Sequence, residues 1–289
     1  MAPNKIHPLP PLPPRPARGT VPLPTIRPVP LGAPLAWLAL GWRDLWRCGP
    51  WGLLHGLVLA FFGALLLLGA GNRFWLLVGA FSGFLVVAPV LATSLYALSR
   101  ALERGEPVGA RTIVRTWTRW QHSRFAAHGG YWSLVRFGLL LSLAGTGWVL
   151  TSAALITVLA PQPVATPMDF VRHVVLAPGG HVFELWLLLG GLMAAPLFAS
   201  SVVAMPLLLD RRADVLQAVL TSWQAVLRNP APLALWAALI MGLTLLGMAT
   251  LLAGLIVTLP WLGHASWHAY RALVDAGKLP ERLPPEGGR

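Results

Sequence analysis

The sequence predicts an all-α polytopic membrane protein of six transmembrane helices, with both ends on the cytoplasmic side. Three observations predict it. Of 289 residues, 56% are hydrophobic and only 11% charged, against roughly 25% charged in a soluble domain, so a water-facing surface cannot be built from this inventory. Apolar runs of the roughly 20 residues needed to cross a bilayer recur along the chain. Basic residues gather in alternate connections: with the N-terminus inside, 20 of the 22 Lys and Arg fall on the cytoplasmic side, and only Arg73 and Arg172 fall outside. That asymmetry is the positive-inside rule, so the formal charge of +12 reads as orientation in a membrane. The basic segments are also laced with Trp, which suits headgroups rather than nucleic acid.

Residues 1–34 hold 12 prolines and no apolar run, which excludes a signal-peptide h-region and predicts a disordered, Pro-rich cytoplasmic tail. Residues 35–273 form the six-helix transmembrane domain, and residues 274–289 a short cytoplasmic tail. The single cysteine, Cys48, excludes an internal disulfide. Spans are expected at Trp51–Ala70, Phe74–Ser99, about Phe137–Ala160 and about Val182–Leu209. The last apolar stretch, Leu233–Tyr270, would exceed 50 Å as one helix at about 1.5 Å per residue. It therefore divides into two spans, with a tight turn near Gly247–Gly254.

An amphipathic stretch precedes each odd-numbered span. Leu35–Arg47 carries Trp37, Trp42 and Trp46, and Asp214–Arg228 carries the stripe Leu216, Val219, Leu220, Trp223 and Leu227. Ala110–Arg124 sets Ile113, Trp117 and Trp120 on one face, while Arg111, Arg115 and Arg119 recur every four residues on another. Such helices lie in the interface with Arg towards anionic lipid headgroups. Each even-numbered span carries a proline in its cytoplasmic half, Pro89, Pro206 or Pro260, where a helix kinks. Proline and arginine are 11 residues apart in both Pro89–Arg100 and Pro260–Arg271. The pattern reads as three parallel repeats, near 35–102, 108–212 and 213–273, each an interfacial helix plus a transmembrane hairpin.

The blocks Met205-Pro206-Leu207-Leu208-Leu209-Asp210-Arg211-Arg212, Leu262-Gly263-His264-Ala265-Ser266-Trp267-His268 and Ala36-Trp37 to Trp46 resemble a family of uncharacterised bacterial integral membrane proteins, the domain of unknown function 2189. Some of its members are labelled cytochrome c oxidase subunit I-like. The resemblance spans about residues 33 to 275 and implies a bacterial inner-membrane protein with no established activity.

The middle of every expected span is free of charge, which argues against a mid-membrane carboxylate relay, since intramembrane ionisable groups are costly and kept for function. Polar chemistry gathers at the cytoplasmic edge. His264 and His268 share one helical face, and His55 lies near the inner end of the first span. The histidines sit four and eight residues after Pro260, and Asp210 and Asp214 occupy the same offsets from Pro206. Superposed repeats would bring two His and two Asp to one depth as candidate ligands of Zn²⁺, Fe²⁺ or Mn²⁺. The structural alternative is that they cap helices, bind headgroups or pair with Arg211, Arg212 and Arg271. Phosphate loops, His-Glu-x-x-His and nucleophile elbows are missing from the sequence, and no cofactor is specified. The expected function is non-enzymatic: a small-solute or lipid-handling carrier with a cavity lined by the three proline-bearing helices, or a scaffold for a membrane complex. A partner subunit or a second copy of the chain would then complete the assembly. The alternative is a metal- or haem-binding redox or respiratory-assembly protein using His264, His268 and His55.

Overall fold

The computed structural model describes residues 23–70, 92–122, 132–178 and 180–282. Among them the architecture is helical, apart from one pair of two-residue strands. Helix α1, Ala33–Arg47, buries the stripe Pro34, Trp37, Leu38, Gly41, Asp44 and Leu45, spaced three and four apart. It turns at Gly49, whose φ of +58° suits a residue without Cβ, into α2, Pro50–Ala70. Helix α3 occupies 92–103, α4 Ala110–His122, and α5 Trp132–Leu159. A short helix, α6 (Pro167–Phe170), closed by a Thr166–Asp169 capping box, runs into a π turn at Val171–Val175. Then come α7 (Val182–Ser201), α8 (Ala204–Asp210), α9 (Val215–Arg228), α10 (Pro230–Ala249) and α11 (Leu255–Leu273).

Among the described residues four helical stretches are long and apolar enough to cross a membrane: Pro50–Gly69, Trp132–Leu159, Val182–Asp210 and Pro230–Ala249. The sequence expects six. The expected second span lies mostly outside the described residues, with Pro89. The sixth, α11, is long enough but falls below that apolar standard, since it carries His264, Ser266, His268 and Arg271. The Val182–Asp210 stretch is broken at Val202–Val203. Pro206 supplies the reason: its ring lacks an N–H and crowds the carbonyl four residues back, that of Val202. The Val203 N–H then donates to Ser222 Oγ of α9, 3.3 Å away. Pro260 is accommodated inside α11. The turn expected near Gly247–Gly254 is present, with Leu251 and Leu252 at φ 54° and 70°.

The three expected interfacial helices are α1, α4 and α9. On α9 the small and polar face, Ala218, Thr221, Ser222 and Ala225, is buried, while Leu216, Leu220, Trp223 and Leu227 are exposed. Exposed Leu57, Phe61, Leu65 and Leu68 form a similar outward face on α2, as a lipid-facing helix requires.

Helix α11 packs chiefly against α1 and α2. The approach is close: a Cβ on Gly56 would meet the backbone of Ile256, and one on Gly41 would come within 2.5 Å of the Ala265 nitrogen. In the same way α8 packs on α9, and Leu95 and Leu98 of α3 share a buried cluster with Ile113 of α4. The main core gathers Trp236, Trp267, Tyr270, Leu207 and Leu208 around these joints.

Strand β1, Thr25–Ile26, pairs antiparallel with β2, Val274–Asp275. The Asn229 side chain fastens this clasp, accepting from the Val29 N–H at 2.8 Å and donating to the Arg27 carbonyl at 3.2 Å. The folded unit thus extends past 35–273 into parts of both expected tails, through residues 25–34 and 274–282.

Candidate functional site

Two buried carboxylates organise the polar chemistry of the described residues. The first is Asp44, 2% exposed, on the inward face of α1. Its Oδ2 accepts from His268 Nε2 at 2.7 Å and from Ser99 Oγ at 3.0 Å, joining α1 to α11 and α3. Arg43 Nε stands 3.9 Å from Oδ1. Burial favours the neutral acid, but the hydrogen bond and charge of His268, the Ser99 hydroxyl and His264 together hold the carboxyl below the usual carboxylate range. Asp44 is therefore an anion and only accepts.

That fixes the neighbouring imidazole. Ser99 has one hydroxyl hydrogen, given to Asp44, so its oxygen must accept from His264 Nδ1, 2.8 Å away. Neutral His264 then carries its hydrogen on Nδ1 and a lone pair on Nε2. Among the described residues that buried Nε2 has no hydrogen-bond partner, at a cost of about 1–3 kcal/mol. His55 on α2 is arranged alike: Nδ1 lies 2.9 Å from the Trp51 carbonyl, to which it must donate, and Nε2 lies 2.6 Å from Ser94 Oγ.

The second carboxylate is Asp210, 2% exposed, at the end of α8. Arg211 Nε is 3.0 Å away, Arg100 Nε 3.3 Å and Arg104 Nη2 3.5 Å, and Tyr270 Oη donates at 2.9 Å. The charge of Asp210 raises the Arg211 pKa against the opposing effect of burial. Glu281 and Arg282 close over this cage. The Arg282 N–H donates to the Asp210 carbonyl at 2.9 Å, and Arg100 Nη2 donates to the Arg282 carbonyl at 2.9 Å. Glu281 receives Arg104 at 3.2 Å and Arg211 at 3.3 Å.

The expected quartet is thus divided. His264, His268 and His55 gather around Asp44, Ser94 and Ser99. Asp210 is committed to guanidinium groups, and Asp214 caps α9 by accepting from the Gln217 N–H at 2.7 Å. Arg271, expected near these acids, instead binds Glu103 at 2.8 Å. Among the described residues no group of three or more His, Cys, Asp and Glu side chains is set to hold a metal ion. Asp44, Ser94 and Ser99 went unnoticed in the sequence. The signal for Asp44 was present, since a lone acid falls within the apolar stripe Trp37, Leu38, Gly41, Leu45. Ser94 and Ser99 carry no comparable mark.

Arg111 and Arg115 are exposed on α4, with exposed Val114 and Trp117 beside them and Ile113 turned inward. Arg119 lies on the same helix, its side chain outside the described residues. Pro206 and Pro260 are buried in the packed core rather than lining an opening. A cleft of about 770 Å³ lies elsewhere, between Ala153–Val158 of α5 and the loop Ala160–Val164. Neither the curated proteins nor the solved structures hold a match to the chain. The family match is narrower than the span of 33 to 275 that the sequence suggests, and it ends at the caged carboxylate: residues 76–210 match the model of the family described as predicted integral membrane protein (DUF2189).

Proposed function

We propose that the chain is a six-span, N-in and C-in protein of a bacterial inner membrane that acts as a non-enzymatic scaffold for a membrane complex. The observation that carries this reading is the packed cytoplasmic end. The Asp210 cage, the β1–β2 clasp and buried Pro206 and Pro260 tie the helix ends together, while α1, α4 and α9 turn apolar faces outward. A rigid platform is what a scaffold needs, and a solute pathway would need an opening where these prolines are packed. Three parallel repeats are supported by a recurring joint: α3 meets α4, α8 meets α9, and α11 meets α1. Each is the second helix of one expected unit against the interfacial helix of the next. Exposed Arg111 and Arg115 suit anionic headgroups beside Trp117.

Orientation is tested with single cysteines in a Cys48→Ser background. A membrane-impermeant maleimide should label Leu251→Cys, in the α10–α11 turn, from outside the cell. Lys278→Cys should label only after permeabilisation, and the reverse pattern would overturn the topology. The scaffold reading is tested by solute flux in proteoliposomes. Flux above empty vesicles that Pro206→Leu or Pro260→Leu abolishes would overturn it in favour of a carrier.

A further inference from the structure

Nothing in the packing of α1, α2, α3 and α11 uses the outer nitrogen of His264. The residue is 0% exposed, and among the described residues its Nε2 lone pair has no hydrogen-bond partner. It is held as metal-ligating imidazoles are held, with the other ring N–H tied to an anchored acceptor. Here that acceptor is Ser99, itself bound to the buried Asp44 carboxylate. His55 is prepared in the same manner, Nδ1–H on the Trp51 carbonyl and Nε2 covered by the Ser94 hydroxyl. Both imidazoles lie against α3, His55 on Ser94 and His264 on Ser99, five residues apart along that helix.

We propose that His264 Nε2 anchors a first-row divalent transition-metal ion, with His55 as the second imidazole once the Ser94 hydroxyl is displaced. Neutral imidazole nitrogens suit Zn²⁺, Co²⁺ or Fe²⁺, whereas Ca²⁺ and Mg²⁺ call for oxygen ligands. The Asp44 charge behind Ser99 offsets part of the charge of the ion. His268 is not a ligand, because its Nε2 is committed to Asp44. With two protein donors the ion keeps open positions for solvent or a small ligand, unlike a closed four-ligand structural zinc.

The test uses the full-length chain in detergent micelles, stripped with chelator and titrated with Co²⁺ alone, read by its visible absorption. Wild type should bind one Co²⁺ with a nitrogen-ligated spectrum. His264→Gln should lose it, and Ser99→Ala should weaken binding about 10–100-fold, because the imidazole is no longer held. His268→Gln should bind as wild type does. A wild type that takes up no Co²⁺ overturns the proposal, as does a His264→Gln variant that binds equally well, which would mark an adventitious surface ion only. Loss of binding in His268→Gln with retained helix content would overturn the choice of ligands. If His264→Gln fails to fold, the wild-type spectrum still decides, since ligation by oxygen alone would exclude imidazole.

Discussion

Asp44 and Asp210 are equally buried, yet one sits among imidazoles and a hydroxyl and the other among guanidinium groups. The Asp210 cage is closed: three guanidinium groups and the Tyr270 hydroxyl converge on one carboxylate, and residues 281 and 282 lie against it. The Asp44 pocket is open in the chemical sense, because its chain of hydrogen bonds ends at a bare nitrogen on His264. Permanent charges around Asp210 leave nothing to exchange, so that region reads as a fastening. Imidazoles and a hydroxyl around Asp44 leave a lone pair in place on His264, so that region reads as a site. The same residue type at the same burial therefore serves stability in one place and chemistry in the other.

The largest effect should come from the cage. Asp210→Ala leaves Arg100 buried without its carboxylate and Tyr270 without its acceptor. Breaking a buried pair from one side costs about 3–5 kcal/mol. Thermal or denaturant unfolding in micelles should show it, and a loss under 1 kcal/mol would break the contrast by making the cage ornamental.

Asp44→Asn should cost less, about 1.5–3 kcal/mol, the range for a hydrogen bond to a charged group. Its pH dependence is the sharper test. The folded carboxyl is held below its ordinary value of 3.8. A depressed acid contributes stability that is fully present above the unfolded value and lost as pH falls through the folded one. The difference between wild type and Asp44→Asn should therefore stay constant above the carboxylate range and shrink only below pH 3.8. A difference that shrinks at near-neutral pH would mean that His268, and not Asp44, controls the joint.

Gly56→Ala probes the frame that holds the open pocket together. The added methyl would strike the Ile256 backbone, and forcing helices apart costs about 1–3 kcal/mol. Because His55 is the adjacent residue on α2, the substitution should also weaken Co²⁺ binding. Unchanged binding alongside lost stability would remove His55 from the site.

Much of the fold was legible because it is written locally. The stripes of α1 and α9 and the proline Pro206 are short-range patterns, and each corresponds to a helix or a break in the structure, whereas Pro260 lies inside the continuous helix α11. The site was legible only in part, since its bonds join distant segments: Ser99 to His264 and Asp44 to His268. The matched offsets from Pro206 and Pro260 misled for a specific reason. They assume that a helix continues past the second ligand, which α11 does, running to Leu273. Helix α8 stops at Asp210, and Arg211 is extended at φ −123° and ψ 159°, so Asp214 starts a new helix instead of facing Asp210.

That break supplies the smallest prediction and the tightest comparison, between two aspartates four residues apart. The Asp214 carboxylate caps α9 by accepting from the Gln217 N–H, so Asp214→Ala should cost about 1 kcal/mol, as lost N-caps typically do. Asn at the same position caps equally well and should restore most of it, because the cap needs an oxygen and no charge. Asp210→Asn should not recover in this way, since its neutral amide cannot offset Arg100, Arg104 and Arg211. If Asn rescued both positions alike, the charge of Asp210 would be dispensable, and its burial among arginines would need another explanation. If Asp214→Ala also abolished Co²⁺ binding while α9 stayed helical, Asp214 would belong with the histidines after all, and the separation of the two regions would fall.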